Sequence, residues 1–479
     1  MNAGRYGIVV PFAMFFYLLI SGYKIIDPFP LTYDPALHSE IAGGVMRHSL
    51  IPSTWAPFAD VMFTYPPLFH WMSYAISYTG IETYRSVILL GLFSYAFFPV
   101  AFYIYGSAFG RKEAVLFSFF GAVQASLIEV FAAGEYPQLL SMNLLVVMLY
   151  FLRKENYPVA AVFSGLVLLS HTFTALYAAV LITIHFFLSI RRNGKRTEIK
   201  SVLTFLSIAL LVSLIWVPKY LQIADNAINR RWENTIWYYK AGFVGIDSIN
   251  NWFFSLMPGA RIGLMMFFFS VVGAAYAHKQ RRYQLWVFLF TAAFTIFHIP
   301  GTQYKFPDML AVAVPPLAAF GTVIAMKQTR RVQKFARFIM AGILFAFLFI
   351  NPYTNATNLR NCCVSDDAPS NDEARLAMWL ENTDKAPSVL VADGKYEVWF
   401  AVIANKYPMN PRVSELEVFT DKYREMVSDR QKLIGEMDLD SDLLDKWNVS
   451  YVVTEFDLKP PDFQLLKEEN GTKLYKRYV

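Results

Sequence analysis

The sequence predicts a polytopic α-helical membrane protein, of about eleven transmembrane helices, with a C-terminal extracytoplasmic α/β domain. Three observations predict it. The 479-residue chain is 55% hydrophobic and only 17% charged. Its apolar residues fall in blocks of about 18 or more, the length needed to cross a bilayer as a helix. Those blocks recur up to residue 351 and then stop, and 352–479 mixes acids, lysines and prolines as a soluble domain does.

The spans are expected near 6–24, 85–108, 114–133, 137–152, 158–172, 174–190, 201–218, 262–277, 284–299, 307–326 and 338–352. The first, "YGIVVPFAMFFYLLISGY", is long enough to span and lacks a small-residue cleavage site, so it reads as a retained helix. Lysine and arginine concentrate in alternate loops, "GRKE" (110–113), "RKEN" (153–156), "RRNGKRTEIK" (191–200), "HKQRR" (278–282) and "KQTRRVQKFAR" (327–337), with Arg5 on the same side. Basic loops face the cytoplasm, so the N-terminus is inside and loops 25–84, 134–136, 219–261 and 300–306 are outside, with the C-terminal domain. The same bias accounts for much of the net charge of +6 and weakens a nucleic-acid reading.

Three N-x-S/T sequons, at Asn355, Asn448 and Asn470, fall in the outside domain. The adjacent cysteines Cys362 and Cys363 set no disulfide framework. In that domain "DEARLAMWLENT" (372–383) and "SDLLDKWN" (441–448) read as helices. "PSVLVAD" (387–393) and "VSYVVTEF" (449–456) read as strands, and the last residues as a hairpin turning at Asn470-Gly471. Asp366 and Asp367 read as linker, and the domain is assigned to acceptor selection or partner contact.

Function is sought in the outer loops. Within 25–84, "TYDPALHSEI" puts Asp34, His38 and Glu40 close together, on a helix whose Leu37, Ile41 and Val45 share one face. Asp34 reads either as a helix cap or as a working carboxylate. Glu40 reads as a solvated face residue. The aromatic piece after Tyr65-Pro66-Pro67 reads as a second interfacial helix. Glu135 in "AAGEYPQLL" and His171 in "LLSHTFTAL" lie where spans meet outside. Arg230, Arg231, Lys240, Arg261 and Lys305 are outer-side cations, against the basic-inside trend. Ionisable groups gathered at one depth of a membrane suggest a shared cavity. Carboxylates with cations at its mouth suit a lipid carrying phosphate.

The order of these pieces resembles the GT-C glycosyltransferases that use polyprenyl-phosphate sugars, in the branch of the protein O-mannosyltransferases and lipid A aminoarabinose transferases. The resemblance rests on one span, an outer loop with an early Asp, an aromatic-Pro-Pro segment, "FGRKEAVLFSFFGAV", "LLSHTFTAL" and "YKFPDMLAVAVPPLAAFG" (304–321). It covers roughly 5–325 and implies a GT-C-like transmembrane catalytic domain over 1–351, with the extracytoplasmic α/β domain over 352–479.

The resemblance further implies that Asp34 is the general base for the acceptor and that Glu135 stands at the acidic catalytic position of the second outer loop. Lys305, beside Tyr304, matches the late-loop lysine near the lipid phosphate. Arg261, Arg230, Arg231 and His38 join it as substrate-binding candidates. Tyr65 stands where the branch has a lysine before Pro-Pro, and His171 replaces another lysine. The peptide-acceptor motif of oligosaccharyltransferases is absent, which argues against asparagine as acceptor. No cofactor follows with certainty. A divalent metal, Mg or Mn, is left open, with Asp34, His38 and Glu135 as candidate ligands.

The partners expected are a polyprenyl- or dolichyl-phosphate sugar, a glycan, lipid or protein acceptor, and the bilayer. The runner-up within the enzyme class modifies glycolipid or a cell-surface polymer. Outside it stand a secondary transporter, for which no internal repeat is found, and a noncatalytic membrane scaffold.

Overall fold

The computed structural model describes residues 7–26, 34–55, 59–63, 65–193, 195–226, 264–279, 309–328, 369–386, 388–392, 397–409, 421–435, 441–458 and 462–478, together with Pro30 and Thr32. The spans expected at 284–299 and 338–352 lie outside these residues, as do Asn355, Cys362, Cys363, Asp366 and Asp367. Packing divides the chain into two compact units, Met1–Ile25 with Gly91–Asn361, and Ile26–Leu90 with Cys362–Val479.

The elements run in the order α1 (Val9–Ile26), α2 (Asp34–Glu40), β1 (Thr54–Trp55), β2 (Ala59–Met62), α3 (Leu68–Ser77), α4 (Thr83–Ser107), α5 (Arg111–Ala122), α6 (Ala125–Ala132) and α7 (Tyr136–Arg153). They continue with α8 (Tyr157–Ser170), α9 (Thr172–Asn193), α10 (Lys195–Ser213), α11 (Val217–Asn226), α12 (Leu264–Lys279) and α13 (Leu310–Gln328). The C-terminal elements are α14 (Asn371–Thr383), β3 (Val389–Ala392), α15 (Glu397–Ile403), β4 (Tyr407–Pro408), α16 (Asp421–Arg430), α17 (Ser441–Lys446), β5 (Val449–Thr454), β6 (Phe463–Glu469) and β7 (Thr472–Arg477).

In the helical unit, α1, α4 and Thr172–Ile190 of α9 are each long and apolar enough to cross a membrane. On α1, Phe12, Phe16 and Ile20 recur every four residues and are more than half exposed, while Leu18 is buried. On α10, Leu203, Leu206 and Leu210, three and four residues apart, are likewise more than half exposed. Exposed apolar stripes of this length suit a hydrocarbon solvent.

The span expected at 114–133 is two helices, α5 and α6, bent by 45° at their junction. The junction holds Gln124, whose Nε2 donates to Ser126 Oγ at 3.3 Å in the interior. Later, α12 and α13 cross backbone to backbone. A Cβ on Gly273 would lie 2.0 Å from the Leu317 carbonyl oxygen, and one on Gly321 would lie 1.9 Å from that of Phe269. Small residues permit such an approach, which yields van der Waals contact where no hydrophobic force operates between helices.

In the other unit, the sheet order is β4-β3-β5-β7-β6, with β4 and β5 parallel to β3 and β7 antiparallel to both β5 and β6. The β6–β7 turn is Asn470-Gly471, both at positive φ (49° and 91°), the conformation a two-residue hairpin needs. Helix α14 begins with a capping box, Ser370 with Glu373. Its Leu376 and Leu380 pack with Leu390, Phe400, Tyr451, Val453 and Leu474 in the core.

This unit also contains the segment between α1 and α4. There α2 runs directly into a π turn, Ile41–Val45, and on to His48. A small antiparallel hairpin, β1–β2, follows, which the sequence reading did not foresee. The solvated face expected for Glu40 is corrected by the structure: the residue is buried, 6% exposed.

Two substitutions test this packing. Gly273→Val should overpack the α12–α13 crossing and cost about 1–3 kcal/mol. Arg430→Met should cost about 3–5 kcal/mol, because it removes the guanidinium that meets the buried Glu397 carboxylate at 2.6 Å. Thermal unfolding of the full chain in lipid nanodiscs, followed by intrinsic fluorescence, reads both. Unchanged midpoints would contradict the crossing and the pair.

Candidate active site

Asp34 opens α2 and is followed by Pro35. Proline has no N–H to lose in a first helical turn, so Asp-Pro makes a stable start. Leu37, Ile41 and Val45 are buried, the face their spacing implies. The strand of chain entering the helix is held from the C-terminal segment: the Trp399 indole Nε1 donates to the Thr32 carbonyl at 2.9 Å. Ala36 packs on Val398 and Trp399. Trp399 therefore positions the start of the helix that carries Asp34. Sequence reasoning missed it, because its one signal is a tryptophan in the apolar run "VWFAVI".

His38 lies one turn beyond Asp34 and is buried. Its Nδ1 is 3.2 Å from His70 Nε2, and His70 Nδ1 is 3.2 Å from the Pro66 carbonyl oxygen. A carbonyl only accepts, so His70 carries its proton on Nδ1. Its Nε2 then accepts, which requires His38 Nδ1 to donate and leaves the lone pair of His38 on Nε2. The relay fixes the tautomer of a histidine on the helix that begins with Asp34. The Tyr65 ring stands edge-on to both imidazoles, at 5.9 and 6.1 Å. Burial pushes His70 down to about 3, so it is neutral at physiological pH. His70 is a second residue the sequence reading passed over, its signal being a histidine close after Pro-Pro in an aromatic stretch.

In the helical unit, Glu135 and His171 each stand at a helix start. Glu135 precedes α7, after Gly134 at a φ of 79°, and its carbonyl accepts from the Leu139 N–H at 3.1 Å. Next to it, Tyr136 fills the space over Gly91, where a Cβ would lie 2.4 Å from its ring, and stacks on Phe131. Gly91 is thus what lets the α7 start lie against α4. His171 is extended (φ −159°, ψ 127°) and caps α9: its Nδ1 accepts from the Thr174 N–H at 3.3 Å. The ring proton therefore sits on Nε2, a donor not used by the cap.

The structure brings together Asp34, His38 and Tyr65 in one unit, while Glu135 and His171 belong to the other. Arg230, Arg231, Lys240, Arg261, Tyr304 and Lys305 lie outside the described residues. Among the described residues, no group of three or more His, Cys, Asp or Glu side chains is placed to hold a metal ion. His38 Nδ1 is moreover a donor in the relay, so that atom does not fit a ligand.

Comparisons with known proteins follow the same lines. Solved structures share the fold over nearly the whole chain at low identity. ArnT from Cupriavidus metallidurans, bound to undecaprenyl phosphate, matches with a TM-score of 0.58 and 10% identity, covering 98% of this chain and 98% of that one. The archaeal oligosaccharyltransferase AglB from Archaeoglobus fulgidus, solved with an inhibitory peptide and a dolichol-phosphate, matches with a TM-score of 0.57 and 12% identity, covering 94% and 70%. The arabinofuranosyltransferase AftD from Mycobacteria gives 0.57 and 12% over all of this chain and 40% of its own. The fold is thus that of the GT-C membrane glycosyltransferases.

No curated protein matches by sequence. Residues 65–355, more than half of the chain, match the family model described as "6-pyruvoyl-tetrahydropterin synthase related domain; membrane protein". The chain belongs to that family of membrane proteins.

The neutral His70 gives a pH dependence with a definite sign. Its folded pKa, about 3, lies below the ordinary 6.5, so the unfolded chain binds the extra proton between these values. The contribution is complete above pH 6.5 and is lost as pH falls, by about 1.4 kcal/mol per pH unit. The stability difference between wild type and His70→Gln, read from unfolding midpoints between pH 7.5 and 5, should shrink with acidification. A difference independent of pH would contradict a neutral, buried His70.

Proposed function

We propose that the chain is an integral membrane glycosyltransferase, of hexosyl or pentosyl type, acting on a polyprenyl- or dolichyl-phosphate sugar at the outer face. It transfers the sugar to an acceptor hydroxyl with inversion. The observation that carries the reading is the end-to-end match with ArnT, a structure holding undecaprenyl phosphate. AglB, with a bound dolichol-phosphate, points to the same class of donor.

The chemistry asks for two things. The leaving group is a lipid phosphate whose negative charge grows in the transition state, so fixed cations lower the barrier, most effectively in a cavity of low dielectric. Lys305 is the first candidate, with Arg261, Arg230 and Arg231 after it, and Tyr304, Tyr65 and His171 as further substrate contacts. The attacking hydroxyl must lose its proton, and a carboxylate on the far side of the sugar takes it. Asp34 has that role, with Glu135 as the second acid. His38, held in one tautomer by His70, supports the helix one turn away.

Eleven spans, a cytoplasmic N-terminus and an extracytoplasmic 352–479 complete the reading. They rest on the alternation of basic loops and leave Asp34 on the outer side.

Radiolabelled polyprenyl- and dolichyl-phosphate sugars, offered to purified protein in lipid, test it. Wild type should consume one donor. Asp34→Asn should still bind that donor while its turnover falls about 10²–10⁴-fold. No donor consumed, or Asp34→Asn as active as wild type, would return Asp34 to the role of a helix cap.

A further inference from the structure

Unit two contains a cleft of about 390 Å³ that is separate from Asp34, which is not among its walls. The size is ordinary for a small-molecule site, where about 300–1,000 Å³ is usual. One wall is the far side of the α2 segment, with Ser39, Glu40, Gly43, Gly44 and Arg47. Opposite stand Glu381 and Lys385 at the end of α14, and the turn from α15 into β4 with Tyr407.

Its most buried acid is Glu40. Among the described residues no hydrogen bond or ion pair reaches the Glu40 carboxyl, although the residue is only 6% exposed. Burial lifts it well above the usual carboxylate range, against the opposing pull of Arg47. A buried carboxyl without a partner is costly, and the cost is relieved when a ligand supplies one.

The walls also say what kind of ligand. Some of the charges are already satisfied: Glu82 meets Arg85 at 2.6 Å, and Lys406 Nζ donates to the carbonyls of Asp384 and Ala386 at 2.7 and 2.6 Å. Glu40, Arg47, His48, Glu381 and Lys385 remain, acids and bases side by side, with Glu40 held toward its neutral form by burial. A bare anion would meet Glu381, and a metal cation would meet Arg47 and Lys385. A neutral molecule whose every polar group both donates and accepts meets no such penalty, and hydroxyls are that group. Tyr84 and Tyr407 add ring surface at the walls, suited to the C–H faces of a sugar.

We propose that this cleft binds a saccharide, the non-reacting part of a glycan acceptor, with Glu40 and Arg47 hydrogen-bonding its hydroxyls. The acceptor assignment rests on the glycosyltransferase reading; the binding site itself does not. Acceptor selection is then a property of the α2 segment and the C-terminal segment together, since each supplies a wall.

Direct binding tests this without turnover. Linear trisaccharides of mannose, glucose, galactose and arabinose are titrated against the full chain in nanodiscs by saturation-transfer NMR, beside a Ser/Thr-rich hexapeptide. One trisaccharide should bind at millimolar concentration or below. Glu40→Ala and Glu381→Trp, the second filling the mouth, should weaken it about tenfold or more, and Glu40→Gln, which keeps a donor and an acceptor, should stay within about threefold. The thermal midpoint of each variant guards against misfolding. No trisaccharide bound, binding unaffected in both Glu40→Ala and Glu381→Trp, or binding of the hexapeptide alone would overturn the proposal. Donor consumption is measured in parallel. Turnover without saccharide binding overturns the cleft and spares the enzyme; saccharide binding without turnover does the reverse.

Discussion

The lodging of Trp399 against the entrance to α2 is the contact on which the segment between α1 and α4 depends. An indole that donates to the Thr32 carbonyl and covers Ala36 is made by a residue 367 positions away in the chain. A helix as short as α2 has little stability of its own. Its direction, and with it the aim of Asp34, is set by what it is packed against. The buried Arg430–Glu397 pair at the base of α15 holds the helix that carries Trp399, so the α/β segment acts as a mount for the segment that carries Asp34.

A second constraint comes from the lipid. Helices that meet hydrocarbon gain nothing by hiding leucine from it, so their cohesion has to come from close approach and from polar contacts. The chain uses both. Gly273 and Gly321 bring two backbones into contact, and the Asn143 amide donates to the Ser94 carbonyl at 2.7 Å across to α4. Gly91 gives Tyr136 its place beside the Glu135 turn. The same economy of small residues thus serves cohesion and the shaping of a helix start.

What was legible in the sequence was what repeats locally. Long apolar runs located the helices, the period of Leu37, Ile41 and Val45 gave the buried face of α2, and Asn470-Gly471 gave the last hairpin. What was hidden depends on partners distant in the chain. The bend at Gln124 lacks proline or glycine at its centre, so no local signal marks it. His70 became visible only when its ring met His38 from another helix. Glu40 looked solvated because a carboxylate on a short loop helix ordinarily is; its burial is produced by the neighbouring segments that line the cleft.

The π turn at Ile41–Val45 carries one residue more than an α-helical turn would, and it separates the two ends of the α2 segment in angle. Deleting one of its two glycines would restore the ordinary helix. Everything downstream, Arg47 included, would rotate by about 100° relative to Asp34. The phase between the end bearing Asp34 and the end bearing Arg47 is therefore set by a single inserted residue. Such a register step is available to evolution as one codon, so relatives of this chain could re-aim one end while leaving the other untouched.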